Sequence, residues 1–122
     1  MEKLVALAQR AVDLVLVDVH RTSSWQPTVL VDVWMGNGVR ISVDGGFTAP
    51  SMSARTEPES IAEVADYIQE QLDQSPSIWP VCAAHDVGLH AEVRDGRPVW
   101  WCRLGGHRVG LIGELDPADC AP

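Results

Sequence analysis

Two short Cys/His turns in the last third of the chain constrain its folding more than any other feature. Cys82 and His85 are separated by two residues, Cys102 and His107 by four. Such spacing can reverse a short loop so that both side chains point toward one ion, and one ion can then join two such turns. Gly105-Gly106 gives the wider turn its freedom. Asp95-Gly96, between the pairs, predicts a tight reversal that brings them together. Two thiolates and two neutral imidazoles suit the tetrahedral shell of zinc, whereas magnesium and calcium prefer oxygen. The expectation is a structural zinc held by Cys82, His85, Cys102 and His107, closed to substrate and clamping two loops.

Other readings of these residues stay open. His90 is the main alternative ligand, in place of His85 or His107, and otherwise a second-layer or surface residue. Cys120 reads as an ordinary cysteine of the tail. Without metal, Cys82 and Cys102 are small buried residues and the two histidines polar caps over them. If the chain were exported, a disulfide between two of its cysteines would compete.

The segment 3–16 predicts a helix, with Leu4, Leu7, Ala8, Ala11, Val12 and Val15 on one face. Beyond Asp13, LVLVDV reads equally well as a buried strand. Residues 28–34 and 39–43 alternate as two strands, and Asn37-Gly38 suits the hairpin turn between them. Gly45-Gly46 and Pro50 mark the exit to a flexible connection. A second helix carries Ile61, Val64, Ala65, Ile68 and Leu72 on one face. Pro58, Glu59 and Glu63 lie near its start, Thr56 is a candidate cap, and 75–77 form its end. It is expected to cover the hairpin. Further on, 89–93, 98–102 and 109–112 read as short strands, with Trp100 and Trp101 on opposite faces of theirs. The tail has little room for another element.

Residues 79–115 resemble a degenerate zinc ribbon, with WPVCAAH as its first ligand turn and VWWCRLGGH as its second. The resemblance implies short antiparallel strands clamped at one end by zinc. The chain departs from the usual C-x2-C turn: His85 stands for the second cysteine, the second turn is longer, and Arg103 follows Cys102. No family is assigned to the whole chain. The fold class is α+β: an amino-terminal helix/hairpin/helix unit, 1–76, joined to a small zinc-ribbon-like β unit, 77–122, packed against it.

The formal charge is −8. Residues 1–76 hold five basic and eleven acidic groups, residues 77–122 four and six. This opposes a broad phosphate-binding surface, so nucleic acid is an unlikely partner despite Arg94, Arg97, Arg103 and Arg108. Neither a signal peptide nor a membrane span is read from the start, which points to the cytoplasm and reduced cysteines. The leading function is a non-enzymatic protein-interaction or regulatory adaptor stabilised by zinc. Its acidic surface would suit a basic partner, and self-association stays open. A small metal-dependent hydrolase needs an open shell, such as Cys82, His85 and Cys102 with Glu92 or Glu114 as acid/base. A thiol enzyme needs Cys102 against His107. A nucleic-acid-binding ribbon is the remaining alternative.

Overall fold

Helix α1 (Glu2–Thr22) is the element around which the others are arranged. The structure is a computed structural model and describes residues 2–34, 38–47, 56–72 and 78–120. Ala8, Ala11, Val12, Val15 and Val19 recur at spacings of three and four and are fully buried, so one face of α1 is apolar over most of its length. The helix therefore runs six residues beyond its expected end. LVLVDVH continues the same stripe, and the Thr22 hydroxyl bonds back to the Asp18 carbonyl at 2.7 Å.

After α1 comes a meander of β1 (Val29–Trp34), β2 (Gly38–Val43) and β3 (Gly46–Phe47), all antiparallel and in that order. Val31 pairs with Ile41 and Val33 with Val39, which puts Val39, Ile41 and Val43 on the buried face. The MGN of the expected hairpin turn lies outside the described residues. Gly46 is not the start of a flexible exit. Asp44 and Gly45 adopt positive φ, and the chain folds back so that Gly46 pairs with Val43 and Phe47 with Ser42.

Helix α2 (Glu57–Leu72) starts as its sequence suggests. The Thr56 hydroxyl accepts the Glu59 N–H at 3.3 Å and donates to the Glu59 carboxylate at 2.8 Å. The expected end at 75–77 lies outside the described residues. The expectation that α2 covers the hairpin is corrected: α1 lies along β1 and β2, while α2 packs on α1 and on the next sheet. That sheet is β4 (His90–Arg94), β5 (Arg97–Cys102) and β6 (His107–Leu111), again an antiparallel meander. These strands begin one or two residues earlier or later than expected, and a bulge at Trp100/Trp101 shifts the β5–β6 register. The two helices and two small antiparallel sheets form an α+β fold with a zinc-ribbon-like carboxyl-terminal part.

A single apolar core joins α1, α2, the first sheet and the ribbon sheet. Trp100 is wholly buried in it and meets Trp79 edge to face, their centroids 5.3 Å apart. Trp101 on the opposite face is only half-buried, as strand alternation requires. Both buried indoles find acceptors on α1: Trp79 donates to Thr22 Oγ1 at 2.8 Å and Trp100 to Asp18 Oδ2 at 2.8 Å. Asp18 also accepts the backbone N–H groups of Gly113 and Leu115, at 2.6 and 3.0 Å. On α2, buried Gln69 donates to the Leu89 carbonyl.

Burial pushes the Asp18 carboxyl above its ordinary 3.8, while the three donors and Arg21 oppose the rise. Asp18→Ala leaves these donors facing a void, and at about 1–3 kcal/mol per stranded buried group it should cost at least ~3 kcal/mol in denaturant unfolding. The raised pKa fixes the sign of a second effect. The ionisation-linked contribution of Asp18 is complete below its unfolded value and is lost as pH rises through its folded one. The stability advantage of the native chain over Asp18→Asn should thus narrow with rising pH across that interval, measured as denaturation midpoints.

Candidate metal centre

The two Cys/His turns share one backbone design. In the first, Asp86 N–H donates to the Cys82 carbonyl at 2.7 Å, and Asp86 has φ 55°. In the second, Gly106 N–H donates to the Cys102 carbonyl at 2.8 Å, and Gly106 has φ 64°. Each turn closes four residues after its cysteine through a left-handed residue, a role open to glycine and tolerated by aspartate. The spacings differ because the histidines leave this common turn at different places. His85 lies within the first turn, whereas His107 is the first residue of β6, opposite Cys102 across the sheet. The irregular C-x4-H spacing is therefore an ordinary turn with its second donor moved onto the returning strand.

The four side chains converge. One donor atom from each of Cys82, His85, Cys102 and His107 lies within 4.8 Å of all the others. His85 Nδ1 is 3.5 Å from both Cys82 Sγ and Cys102 Sγ, and His107 Nε2 is 3.6 Å from Cys82 Sγ. With Zn–S near 2.3 Å and Zn–N near 2.0–2.1 Å, a tetrahedral shell has sulfur–nitrogen edges of ~3.5–3.6 Å. The observed separations match this edge. Thiol hydrogen bonds alone account for the geometry less well: three close S···N approaches are made by two sulfurs, and each S–H serves one acceptor. The donor set fits a four-coordinate, borderline-soft cation.

Surrounding groups orient these donors. Gly105 N–H points at Cys102 Sγ from 3.3 Å, and His107 Nδ1 faces the Arg108 carbonyl at 3.3 Å. A proton on Nδ1 for that contact leaves Nε2 bare toward the cluster. Cys82 and Cys102 are buried, His107 half-buried and His85 exposed, so the sulfurs face the core and the imidazoles face water. The tail straps the first turn: Ala83 N–H donates to the Asp119 carbonyl at 3.1 Å, and Cys82 and Cys120 form a β-bridge. A 3₁₀ turn, Pro117–Asp119, leads into this strap, an element the sequence reading did not find.

His90 lies on β4 opposite Trp101 and is not one of the four converging residues. Cys120 stands beside Cys82 but outside the cluster. Burial, then the nearby Asp119, Asp18, Cys82 and Asp116, push its thiol up to about 11. Cys120 is thus a buried structural residue and not a loose part of the tail. Among the described residues the three cysteines are free thiols. Glu92 points elsewhere, accepting from Arg94 at 2.7 and 3.0 Å and from Arg103 at 2.9 Å. Burial alone would raise its carboxyl, but those bonds and charges outweigh it and hold the pKa below 4.5. A group so held is poorly matched to proton transfer near neutral pH. Glu114 is exposed.

Gly105 is the functional position that spacing did not reveal as one. It occupies the place in the second turn that His85 holds in the first. A Cβ there would overlap His85 Cε1 and lie 2.7 Å from His107 Cδ2 and 2.8 Å from His85 Nε2. The missing side chain is the space into which the opposite turn's imidazole folds. No protein-family model, curated protein or solved structure matches the chain. The zinc-ribbon-like motif is therefore carried by its residues and geometry, without an assigned family, and among the described residues no helix is long and apolar enough to cross a membrane.

Gly105→Ala should weaken metal affinity by about 10–100-fold, the size of effect that disturbing the orientation of ligands commonly has, because the added methyl displaces the His85 imidazole. Competition with a chromophoric chelator would measure this, with Gly110→Ala, where a Cβ would make only ordinary contacts at 3.5–3.7 Å, as the control.

Proposed function

We propose that Cys82, His85, Cys102 and His107 hold a structural zinc, and that the chain is a non-enzymatic protein-interaction or regulatory adaptor. The observation that carries the reading is the convergence of four donors within 4.8 Å of one another, three of their S···N separations being 3.5–3.6 Å as a tetrahedral zinc shell requires. Four protein ligands leave no position for substrate or water, so the metal's contribution is to hold the turns together. Leu104, 68% exposed within the second turn, and Ile78, 61% exposed before the first, offer apolar contact area. On this reading 1–76 is a scaffold and 77–122 the metal-bound unit docked on it through Asp18. The reduced thiols suit a cytosolic setting.

One observation favours a second reading, a small metal hydrolase with an open shell. A groove of ≈ 410 Å³ is bordered by Cys82, His107, Arg108 and Asp119. Catalysis there requires one of the four ligands to give way to water.

Anaerobic purification followed by metal analysis separates these readings. The adaptor reading expects about one zinc per chain, lost from Cys82→Ser/Cys102→Ser, with a chelator lowering the unfolding midpoint. Full metal-free stability, unmoved by chelator, rejects the structural zinc. Zinc retained with three protein ligands and one oxygen, seen by X-ray absorption, favours the hydrolase.

A further inference from the structure

The ribbon sheet has two unlike faces. Ala91 and Trp100 face the core, while Glu92, Arg94, Arg97, Val99 and Trp101 alternate onto the other side. Arg94 pairs with Arg97 across β4 and β5, and Trp101 with Arg108 across β5 and β6. Together with Val99 and Asp95 they line an open groove of ≈ 430 Å³. The Arg94 guanidinium lies 4.0 Å from the centre of the Trp101 ring. Glu92 pairs with both Arg94 and Arg103 but its single charge offsets only one of them, and Arg97 and Arg108 are exposed, with no ion pair among the described residues. All four basic residues of 77–122 are arginines of this ribbon, in a chain whose formal charge is −8.

We infer that this outer face binds an acidic peptide segment of a partner protein. The inference rests on the adaptor reading and names the chemistry of its partner. Arginine forks match carboxylates in bidentate geometry, and Trp and Arg are the side chains that most often dominate protein interfaces. The groove is short and carries Asp95 on its lining. A peptide can set a neutral residue against that carboxylate, whereas a continuous phosphodiester cannot, and the acidic remainder of the chain repels a long polyanion. The acidic composition had pointed to a basic partner; the ribbon face points the other way.

Fluorescence anisotropy of the zinc-loaded full chain tests this with a labelled peptide of about ten residues alternating Glu and Val, long enough at ~3.3 Å per residue to cross the sheet. The comparators are its Gln/Val counterpart and a labelled single-stranded oligonucleotide. The Glu peptide is expected to bind, to weaken with added salt, and to lose at least about tenfold in affinity with Arg97→Glu/Arg108→Glu. Circular dichroism and zinc content of that variant should be unchanged, because both side chains are exposed. Equal binding of the Gln peptide, no binding of the Glu peptide, or binding unaffected by the double substitution overturns the inference. So does an oligonucleotide that binds more tightly and is lost in the same variant, since it assigns the face to nucleic acid. Failure with zinc still bound removes only the acidic partner, whereas a chain that holds no zinc removes the structural-zinc reading independently.

Discussion

The carboxylate of Asp18 is the contact on which the arrangement of the molecule depends. It leaves the apolar stripe of α1, is inaccessible to water, and accepts three hydrogen bonds from the carboxyl-terminal segment. An uncompensated carboxylate would not persist in such a place. These donors compensate it only when Trp100, Gly113 and Leu115 are correctly placed, so the interaction is selective for one docking of the ribbon on the helix. Gly113 illustrates the closeness of fit. It holds φ at 100°, and a Cβ there would lie 2.7 Å from Leu14 Cδ2. Glycine serves both the backbone conformation and the approach of the two segments.

The metal turns adjoin the same sheet, and the two devices act on neighbouring residues of one strand, β5. Trp100, two residues before Cys102 on β5, donates to Asp18, while Cys102 faces the donor cluster. A three-stranded meander of such short strands has little independent stability. Packing on α2, anchoring on α1 and closure of the turns together give it one. The tail completes the enclosure by bridging Cys82 through Cys120, which ties it to the first turn.

The outer ribbon face has a different character because its arginines are exposed to solvent. Arg94 and Arg103 share one carboxylate, Glu92, and the aromatic ring beside Arg94 is half-buried. Core packing explains Trp100 and the metal turns but not this grouping, which is why the proposed recognition is assigned to the outer face and folding to the inner.

Local chemistry made much of this legible in the sequence. Four donors in two short turns, glycines where the backbone must reverse, alternating valines and a capped second helix all act over a few residues. Their elements appear where expected, with strand ends shifted by a residue or two. Spacing did not reveal that α1 continues through LVLVDVH, because that stretch satisfies helix and strand patterns equally. Its Asp18 is bonded by Trp100, Gly113 and Leu115, which lie 82 to 97 residues further on. For the same reason Asp18 reads in the sequence as one more acidic residue, Cys120 as a loose tail cysteine and Gly105 as a flexible link. The order of residues determined which groups could meet within a turn or along a strand. Only the tertiary structure decided which distant groups meet, since desolvation and close approach depend on neighbours that chain order does not specify.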